Sequence, residues 1–444
     1  MKVQRILYFI LFFSTCGFAQ GKRRTPVYLE IAPVINAINM VMIHDVISPP
    51  VAARYYAYTM LGAYQLVSRN DLSLPAPASF IRQFPESKLT ILSKDYNYQI
   101  AAIYCILETG KNMLPSGISL QEDQDAYLAK LLKNKISPAI IDQSVAAAKE
   151  VSAQIVAYSK TDNYSKLSAK LRYTPEKTEG HWYPTPPAYL DAVEPNWSTT
   201  RPLIIDSCAQ FKPSPPTKYS TDSASAFFKL AKEVYELSKI PSQEQLDEAS
   251  FWDCNPFAVT ISGHMSIGYK KISPAGHWMN ITALAVKKAN LDFAPAITVV
   301  TLEAVTLMDS FIACWDEKYR SNRIRPETYI NKNIDLRWQP LLQTPPFPEY
   351  PSGHAVASNS SASILSYLLG DNFTYTDDTE LPFGVGPRKF TSFNQAAAEA
   401  SISRLYGGIH FRDSIDEGNK QGKALGQNII EKIKKAGIKP FYSN

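Results

Sequence analysis

The sequence lacks dense clusters of one charge. Its 444 residues carry a formal net charge of only +5, and the lysines and arginines are scattered without interleaved aromatic residues. Nucleic acid is therefore not an expected partner. Beyond residue 19 the sequence also lacks an uninterrupted apolar run of the length needed to cross a bilayer, so stable membrane insertion is not expected. These patterns leave the oligomeric state open.

A short apolar run stands at the N-terminus. Lys2 and Arg5 precede an apolar stretch at residues 6–13, and small residues lead to Ala19. This order is typical of a secretory signal peptide, which we predict at residues 1–19. A membrane anchor is the alternative, but the run is short for a span. The mature chain is expected to be exported, either to the periplasm or out of the cell.

Convincing strand patterns are also lacking, whereas helical periodicity dominates, so the sequence predicts an all-α protein. A stretch rich in proline and aromatic residues, 172–218, ends an N-terminal helical region at 20–218 and precedes a C-terminal one at 219–444. The predicted helices cover residues 28–44, 50–68, 94–113, 120–133, 137–160, 223–239, 243–253, 278–289, 293–318, 353–369, 393–406 and 413–435.

No metal-binding spacing is evident among the cysteines and histidines. His264 and His277 are too far apart for a helical i, i+4 pair, and no carboxylate or thiol pattern accompanies them, so no metal site is assigned there. Cys208 and Cys254 lie in loop-like sequence, and whether they form a disulfide in an oxidising compartment stays open. Cys105 and Cys314 lie in apolar helical sequence and are predicted to be buried thiols.

Three segments of the C-terminal third carry candidate chemistry. In the first, Lys318 and Arg325 are seven residues apart, close to two helical turns, so both cations are predicted to lie on one side of a helix that Pro326 ends. Taken alone, this pattern is also typical of a solvated basic helix end. The second segment places Ser352, Gly353 and His354 at the start of an apolar helix, an arrangement that proteins use to bind oxyanions.

The third segment places Arg404 near the end of a predicted helix and His410 six residues further, beyond two glycines. Together the three segments resemble the signature of the vanadium haloperoxidase and type 2 phosphatidic acid phosphatase superfamily: Lys-x6-Arg-Pro, Pro-Ser-Gly-His and Ser-Arg-x5-His, in that order. The resemblance covers residues 290–430. It implies two packed helical bundles, with the site in the second.

The resemblance implies a haloperoxidase that uses vanadate, hydrogen peroxide and a halide. His410 would be the vanadium ligand, His354 the acid or base, and Lys318 the group that polarises bound peroxide. Phosphate would compete for the same site, and an apolar lining would favour iodide or bromide. The implied oxyanion-binding residues are Lys318, Arg325, Ser352, Gly353, Arg404 and His410, and the candidates for the halide pocket are Trp315 and Phe347.

Two alternatives stay open at this stage: an exported acid phosphatase that forms a phosphohistidine on His410, and a non-catalytic oxyanion-binding protein. One departure from the superfamily pattern bears on the latter. Four residues after His410, where an aspartate often orients the ring, this sequence has Ser414. Asp413, Asp416 or a more distant acid must then fix the imidazole tautomer.

Overall fold

The computed structural model describes residues 26–86, 89–90, 93–176 and 178–441. The predicted signal peptide lies outside these residues. The described chain is mostly helical, which confirms the all-α class. The α-helices are α1 Ala32–His44, α2 Pro49–Asn70, α3 Tyr98–Met113, α4 Leu120–Lys133, α5 Pro138–Ser159, α6 Ala226–Leu237, α7 Gln243–Phe251, α8 Pro274–Lys288, α9 Phe293–Ser321, α10 Pro326–Asn333, α11 Gly353–Leu369, α12 Phe393–Tyr406 and α13 Arg412–Ala436.

Helix α9 is the central element of the fold. It packs against α2 on the side of the N-terminal helices and against α11 on the side of the C-terminal helices. Its 29 residues are long and apolar enough to cross a membrane by composition, contrary to the sequence-based expectation, but its most apolar stretch is entirely buried among the other helices. A helix that is apolar all round is also what a large protein core requires.

Two helical groups share this centre. In the first, α2 packs on α3 and α5, and α3 also contacts α4. In the second, α11 lies between α12 and α13. One hydrophobic core runs through both groups, because buried residues from α2, α9 and α11 belong to a single cluster. The three signature segments lie at the end of α9, at the start of α11 and at the corner between α12 and α13.

Four short strands within the described residues correct the expectation that convincing strands are absent. Strands β1 Val259–Ser262 and β2 Met265–Gly268 form one antiparallel hairpin, and β3 Tyr375–Asp377 pairs antiparallel with β4 Arg388–Phe390. Strands of three or four residues are too short for a clear alternation of apolar and polar positions. The first hairpin is also exposed along most of its length, so burial imposes no pattern on it.

The proline-rich connection lies against the helices and is anchored in the core. Trp182 and Trp197 are fully buried. The backbone amides of Leu203, Ile204 and Ile205 donate hydrogen bonds of 2.7 to 2.9 Å to the buried carboxylate of Asp309 in α9. The aromatic content of this segment therefore serves packing between the connection and α9.

Candidate active site

Lys318 and Arg325 reach the site from different elements. Helix α9 ends at Ser321 because Asn322 adopts a left-handed conformation, with φ 49°, a common helix ending for asparagine. Pro326 begins α10, and Arg325 is the capping residue before it. The prediction that both cations share one helical face is therefore wrong, and α10 was missed because proline was interpreted as a stop rather than as the first helical residue.

The Lys318 ammonium organises the loop that precedes α11. Its Nζ donates to the backbone oxygens of Pro348, Glu349 and Pro351 at 3.1, 3.1 and 2.6 Å. Complete burial lowers the pKa of Lys318 to about 7, and the nearby Arg325 guanidinium acts in the same direction. All three ammonium donors thus bond to neutral carbonyls beside the start of α11, and no carboxylate of the described residues forms an ion pair with Lys318.

The start of α11 has the features expected of an anion site. Ser352 is the capping residue, and its Oγ accepts a hydrogen bond from the Ala355 amide at 3.4 Å. A Cβ on Gly353 would lie 3.6 Å from the Trp315 ring and 3.9 Å from Lys318 Cε. A side chain there would therefore occupy the space between the ring, the lysine and the helix N-terminus, whose amides favour negative charge.

His354 follows on the first turn of α11 and lines the adjoining cavity. Its Nε2 is buried and has no hydrogen-bond partner in the described part of the chain. Burial holds the pKa of His354 well below its usual range, and the positive charge of Arg404 contributes. The imidazole is therefore neutral at physiological pH, with an unused nitrogen beside the cavity.

Arg404 and His410 come from the corner between α12 and α13. Arg404 lies in the last turn of α12, where its Nε bonds to Ser403 Oγ at 3.0 Å and its Nη2 to the Ala249 oxygen at 3.2 Å. Gly408 turns the chain with φ 75°, a conformation that residues with side chains rarely adopt. Both Arg404 and His410 then line the same cavity as His354.

The hydrogen bonds of His410 fix its tautomer. Nδ1 lies 2.8 Å from a carboxylate oxygen of Glu349, which can only accept, so Nδ1 carries the proton. Nε2 therefore has a lone pair, and it lies 3.2 Å from Arg325 Nη1. Burial and the charges of Arg325, Lys318 and Arg404 hold the pKa of His410 well below its usual range. The ring is neutral, as a ligand or nucleophile requires.

Glu349 is thus the more distant acid that replaces the missing aspartate, and it was not among the acids predicted from the sequence. Arg323 Nε donates to Glu349 Oε2 at 2.6 Å. The two terminal nitrogens of Arg323 also form a bidentate ion pair with the Asp413 carboxylate, with both N–O distances at 2.7 Å. Asp413 therefore supports His410 only through Arg323 and Glu349. Ser414 Oγ lies 3.2 Å from His410 Nδ1.

Asp416, the other acid considered, lies on α13 close to Arg412 and Lys420 and does not contact His410. The sequence contained one signal for Glu349, namely an acidic residue directly before the Tyr-Pro-Ser-Gly-His segment. The signal was weak because no periodicity connects residues 349 and 410. The two residues meet only because the connection between α12 and α13 folds back onto the loop before α11.

The site has an excess of buried positive charge. Arg323 is paired with carboxylates, but the hydrogen bonds that the structure gives Lys318, Arg325 and Arg404 all lead to neutral groups. Burial lowers the pKa of Arg325 to about 10 and also lowers that of Arg404. Arg325 Nη2 is buried without a partner in the described residues. Such a donor set fits a tetrahedral oxyanion with several oxygens to satisfy.

An aromatic wall borders the cations. The rings of Trp315 and Phe347 lie 4.9 Å apart, and both line the cavity. Lys318 Nζ lies 5.2 Å from the centre of the Phe347 ring, as does the Arg325 guanidinium carbon. These two sequence candidates therefore contact both the cavity and the charged groups, although contacts of this kind also contribute to packing.

Known proteins resemble this chain in both sequence and fold. The family description "VCPO second helical-bundle domain" matches residues 333–437. A solved bacterial vanadium-dependent iodoperoxidase is 41% identical over 92% of this chain and 98% of its own, with a TM-score of 0.85. A search of curated proteins gave no match.

Two structures of bacterial vanadium-dependent chloroperoxidase share the fold at 14% identity. The apo form covers 88% of this chain and 95% of its own with a TM-score of 0.66, and the holo form covers 93% and 95% with a TM-score of 0.61. The identity and coverage of the iodoperoxidase, together with the signature, confirm the resemblance found in the sequence. The chain belongs to the vanadium-dependent haloperoxidase family and is an enzyme of the peroxidase class.

Proposed function

We propose that this enzyme oxidises iodide, and secondarily bromide, with hydrogen peroxide, and that vanadate is its resident cofactor, bound at His410. The observation that carries the proposal is the lone pair on His410 Nε2 next to buried cations that have no carboxylate partner. Bound vanadate would supply Lewis-acid activation of peroxide without a change of oxidation state. Arg325, Arg404, Ser352 and the Gly353 amide would bind its oxygens.

His354 is proposed as the proton-transfer residue. Burial and Arg404 keep the ring neutral, so the unused lone pair on Nε2 can accept a proton when hydrogen peroxide arrives. The lowered pKa favours the return of that proton when water leaves. Its unused nitrogen and its place on the cavity wall support this role. His354 would thus transfer protons, and His410 would bind the vanadium.

Lys318 is proposed to act chiefly through its charge. Its three donors already bond to carbonyls, so a direct hydrogen bond to bound peroxide requires the ammonium to exchange one of them. A neighbouring anion favours the protonated form of an amine. Vanadate would therefore raise the pKa of Lys318 from about 7 and keep the side chain positively charged during turnover.

The preference for a large halide is supported by the cavity wall and by the iodoperoxidase relative. Phe311, Trp315 and Phe347 provide an apolar, polarisable surface beside the cations. Desolvation costs a large halide less than a small one, so the wall favours iodide over chloride. The ratio of kcat/KM for iodide, bromide and chloride measures this preference, and a higher value for chloride would contradict it.

The function is tested in one preparation assayed for two activities. We expect peroxide-dependent iodide oxidation that requires added vanadate, and little hydrolysis of an aryl phosphate. Aryl phosphate turnover that exceeds iodide oxidation, and that vanadate inhibits, would instead support the phosphatase, which the peroxidase relatives do not favour. Absence of both activities in vanadate-loaded protein would support the non-catalytic alternative.

Phosphate is proposed to compete with vanadate because both are tetrahedral oxyanions that suit the same cations. Titration of phosphate during vanadate reconstitution should raise the apparent vanadate Kd in proportion to phosphate concentration. Reconstitution that is indifferent to excess phosphate would show that the two anions do not share this site.

Export is proposed from the order of charged, apolar and small residues at positions 1–19. N-terminal sequencing of the product made in a secreting host should find a chain that begins after Ala19. A mature chain that begins at Met1 would contradict the proposal.

A further inference from the structure

Another buried histidine, outside the proposed oxyanion site, has a thiol and a carboxylate beside it, both of which are side chains that bind metals. His277 is on α8, Cys254 precedes β1, and Glu380 follows β3. His277 Nδ1 lies 3.3 Å from Cys254 Sγ and 3.3 Å from Glu380 Oε1. Donor atoms of all three residues lie within 4.8 Å of one another, and all three residues are buried.

These distances suit coordination of one ion. Tetrahedral zinc with bonds of about 2.0 to 2.3 Å places neighbouring nitrogen, oxygen and sulfur ligands about 3.3 to 3.5 Å apart. Two of the three edges of the cluster already have this length. The remaining edge, from Cys254 to Glu380, is no longer than 4.8 Å, so a small rotation of the glutamate side chain completes the site.

Asp377 fixes the orientation of His277. Its Oδ2 lies 2.8 Å from His277 Nε2, while Oδ1 accepts from the Thr379 amide and hydroxyl at 3.1 and 2.7 Å. A carboxylate held in this way accepts a hydrogen bond from Nε2–H, so that a cation which displaces the proton from Nδ1 would meet a lone pair directed at the thiol and at Glu380. The same arrangement, a carboxylate behind a ligating histidine, is found in most histidine metal sites.

One ligand has a buried oxygen with no hydrogen-bond partner in the described part of the chain, although the His277 ring lies at ion-pair distance from it. Glu380 is 3% exposed, and its Oε1 accepts no hydrogen bond from the described residues despite lying 3.3 Å from the His277 ring. A buried carboxylate oxygen left unsatisfied is costly. A cation between Glu380, His277 and Cys254 would satisfy it. Lys271, whose charge acts on Glu380, is paired with Asp253.

We propose that Cys254, His277 and Glu380 bind a divalent metal ion of the zinc class. The thiolate and imidazole donors exclude calcium and magnesium, which prefer oxygen ligands, and favour zinc among the available ions. Cys254 lines the active-site cavity, which gives the ion a path from solvent and leaves room for water as the fourth ligand.

The disulfide between Cys208 and Cys254, which the sequence left open, is not formed, because all four described cysteines are free thiols.

This proposal revises the sequence-based decision against a metal at His277. The ligands come from residues 254, 277 and 380, so no short spacing in the sequence reveals them. His264 is not part of the cluster and lies in the exposed hairpin turn between β1 and β2.

The position of the cluster gives the ion a role in the active site. The Trp252 ring stacks on His277 with centroids 4.6 Å apart, and the Trp252 backbone contacts the His354 ring. The Cys254 amide in turn donates to the Trp252 oxygen at 2.9 Å. A metal on Cys254 would therefore fix the segment against which the proposed proton-transfer histidine rests.

The test is metal content and spectroscopy of the full-length protein. After removal of metals with a chelator, Zn²⁺ is titrated in competition with a chromophoric chelator, in sulfate buffer without vanadate. We expect one tightly bound zinc per chain. Cobalt(II) in its place should show a thiolate-to-cobalt charge-transfer band.

Four variants locate the ion. Cys254→Ser should abolish the charge-transfer band, while Cys105→Ser, which removes another buried thiol outside the cluster, should retain it. Glu380→Gln, an isosteric change that keeps the thiol, covers the case in which Cys254→Ser does not fold, and it should lose tight zinc binding. Asp377→Asn should weaken zinc about 10- to 100-fold, the usual effect of removing the carboxylate behind a metal-bound histidine.

Three results would overturn the proposal. One is a wild-type chain that binds less than a stoichiometric amount of zinc, which would mean that His277 holds only protons. Another is a cobalt spectrum unchanged in Cys254→Ser. The last is tight zinc binding that Glu380→Gln leaves intact while His410→Ala abolishes it, which would place the ion in the oxyanion site.

Discussion

Buried arginines occur in both helical groups, but their surroundings differ. In the N-terminal group Arg54 is neutralised: its Nε lies 2.7 Å from Asp162 Oδ2, its Nη2 bonds to the Ser159 oxygen at 2.9 Å, and the Tyr164 ring lies 4.3 Å from its guanidinium carbon. In the C-terminal group Arg325 and Arg404 are just as buried but bond only to neutral groups and to His410.

The difference separates a structural ion pair from a binding site. A buried cation with a carboxylate partner is complete within the protein, and it contributes to stability only while both partners remain. A buried cation without a partner has a high energy until an anion arrives from solution, and its lowered pKa reflects this. Arg325 has one buried donor nitrogen without a partner in the described residues, which supports the proposal that the site binds an oxyanion from solution.

The largest effect is expected from breaking the structural pair. Asp162→Asn leaves the buried Arg54 charge uncompensated and should lower the free energy of unfolding by about 3–5 kcal/mol. Because Asp162 does not contact the site, the vanadate Kd of the folded protein should stay unchanged. Urea unfolding and vanadate titration of the same variant check both statements. If Asp162→Asn keeps wild-type stability but binds vanadate more weakly, the Arg54–Asp162 pair is not structural, and the proposed distinction between the two regions is wrong.

Arg404→Met is expected to affect vanadate affinity more than stability. Losing a charge-assisted hydrogen bond of about 1.5–3 kcal/mol to the oxyanion should weaken vanadate about 10- to 100-fold. Because Arg404 forms no ion pair within the described residues, its removal leaves no buried carboxylate without a partner. In the absence of an oxyanion, the free energy of unfolding should therefore fall less than in Asp162→Asn. Urea unfolding and vanadate titration test this prediction, with Asp162→Asn as the matched control. Unchanged vanadate affinity would remove Arg404 from the site.

A smaller effect is expected from pH, through Lys318. Its pKa is about 7 in the anion-free protein, against 10.5 for the ordinary side chain. Between these values the unfolded chain binds more protons than the folded one, so this group makes the anion-free protein more stable as pH rises. An oxyanion favours protonated Lys318, so its affinity should fall as pH rises above about 7.

Sulfate is the suitable probe for this effect because its charge does not change in this range. Isothermal titration in buffers of different ionisation enthalpy should detect uptake of up to one proton per sulfate bound near pH 8. Lys318→Met should abolish most of this uptake. Sulfate binding without proton uptake in the wild type would show that Lys318 is already charged when the site holds no anion.

The sequence was sufficient for the helical class and for naming residues that the fold brings together at one cavity, such as His354, Arg404 and His410. Helix bounds such as 393–406 match α12 because apolar periodicity and capping serines are local signals. The signature residues were predictable because each segment keeps a fixed spacing. Trp315 and Phe347 were implied by the resemblance to the superfamily, and both line the cavity.

The groups that support the site were not predictable in the same way. Glu349, Arg323 and Asp413 come from three separate segments, and their contacts depend on the corners after α9 and α12. Helix α10 was missed because Pro326 both follows one helix and begins the next. The Cys254, His277 and Glu380 cluster joins residues far apart in sequence, so only the fold places them together. Tertiary contacts of this kind leave no periodicity in the sequence.

The most direct test of the site is the vanadate affinity of two histidine variants in one phosphate-free buffer. His410→Ala should lose tight binding, because the remaining cations offer electrostatic attraction without a coordinating nitrogen. His354→Ala should keep most of the affinity, while peroxide-dependent iodide oxidation falls about 10²-fold or more through loss of proton transfer. Equal vanadate affinity in the wild type and His410→Ala, with a nitrogen ligand still detected on the metal, would contradict the account.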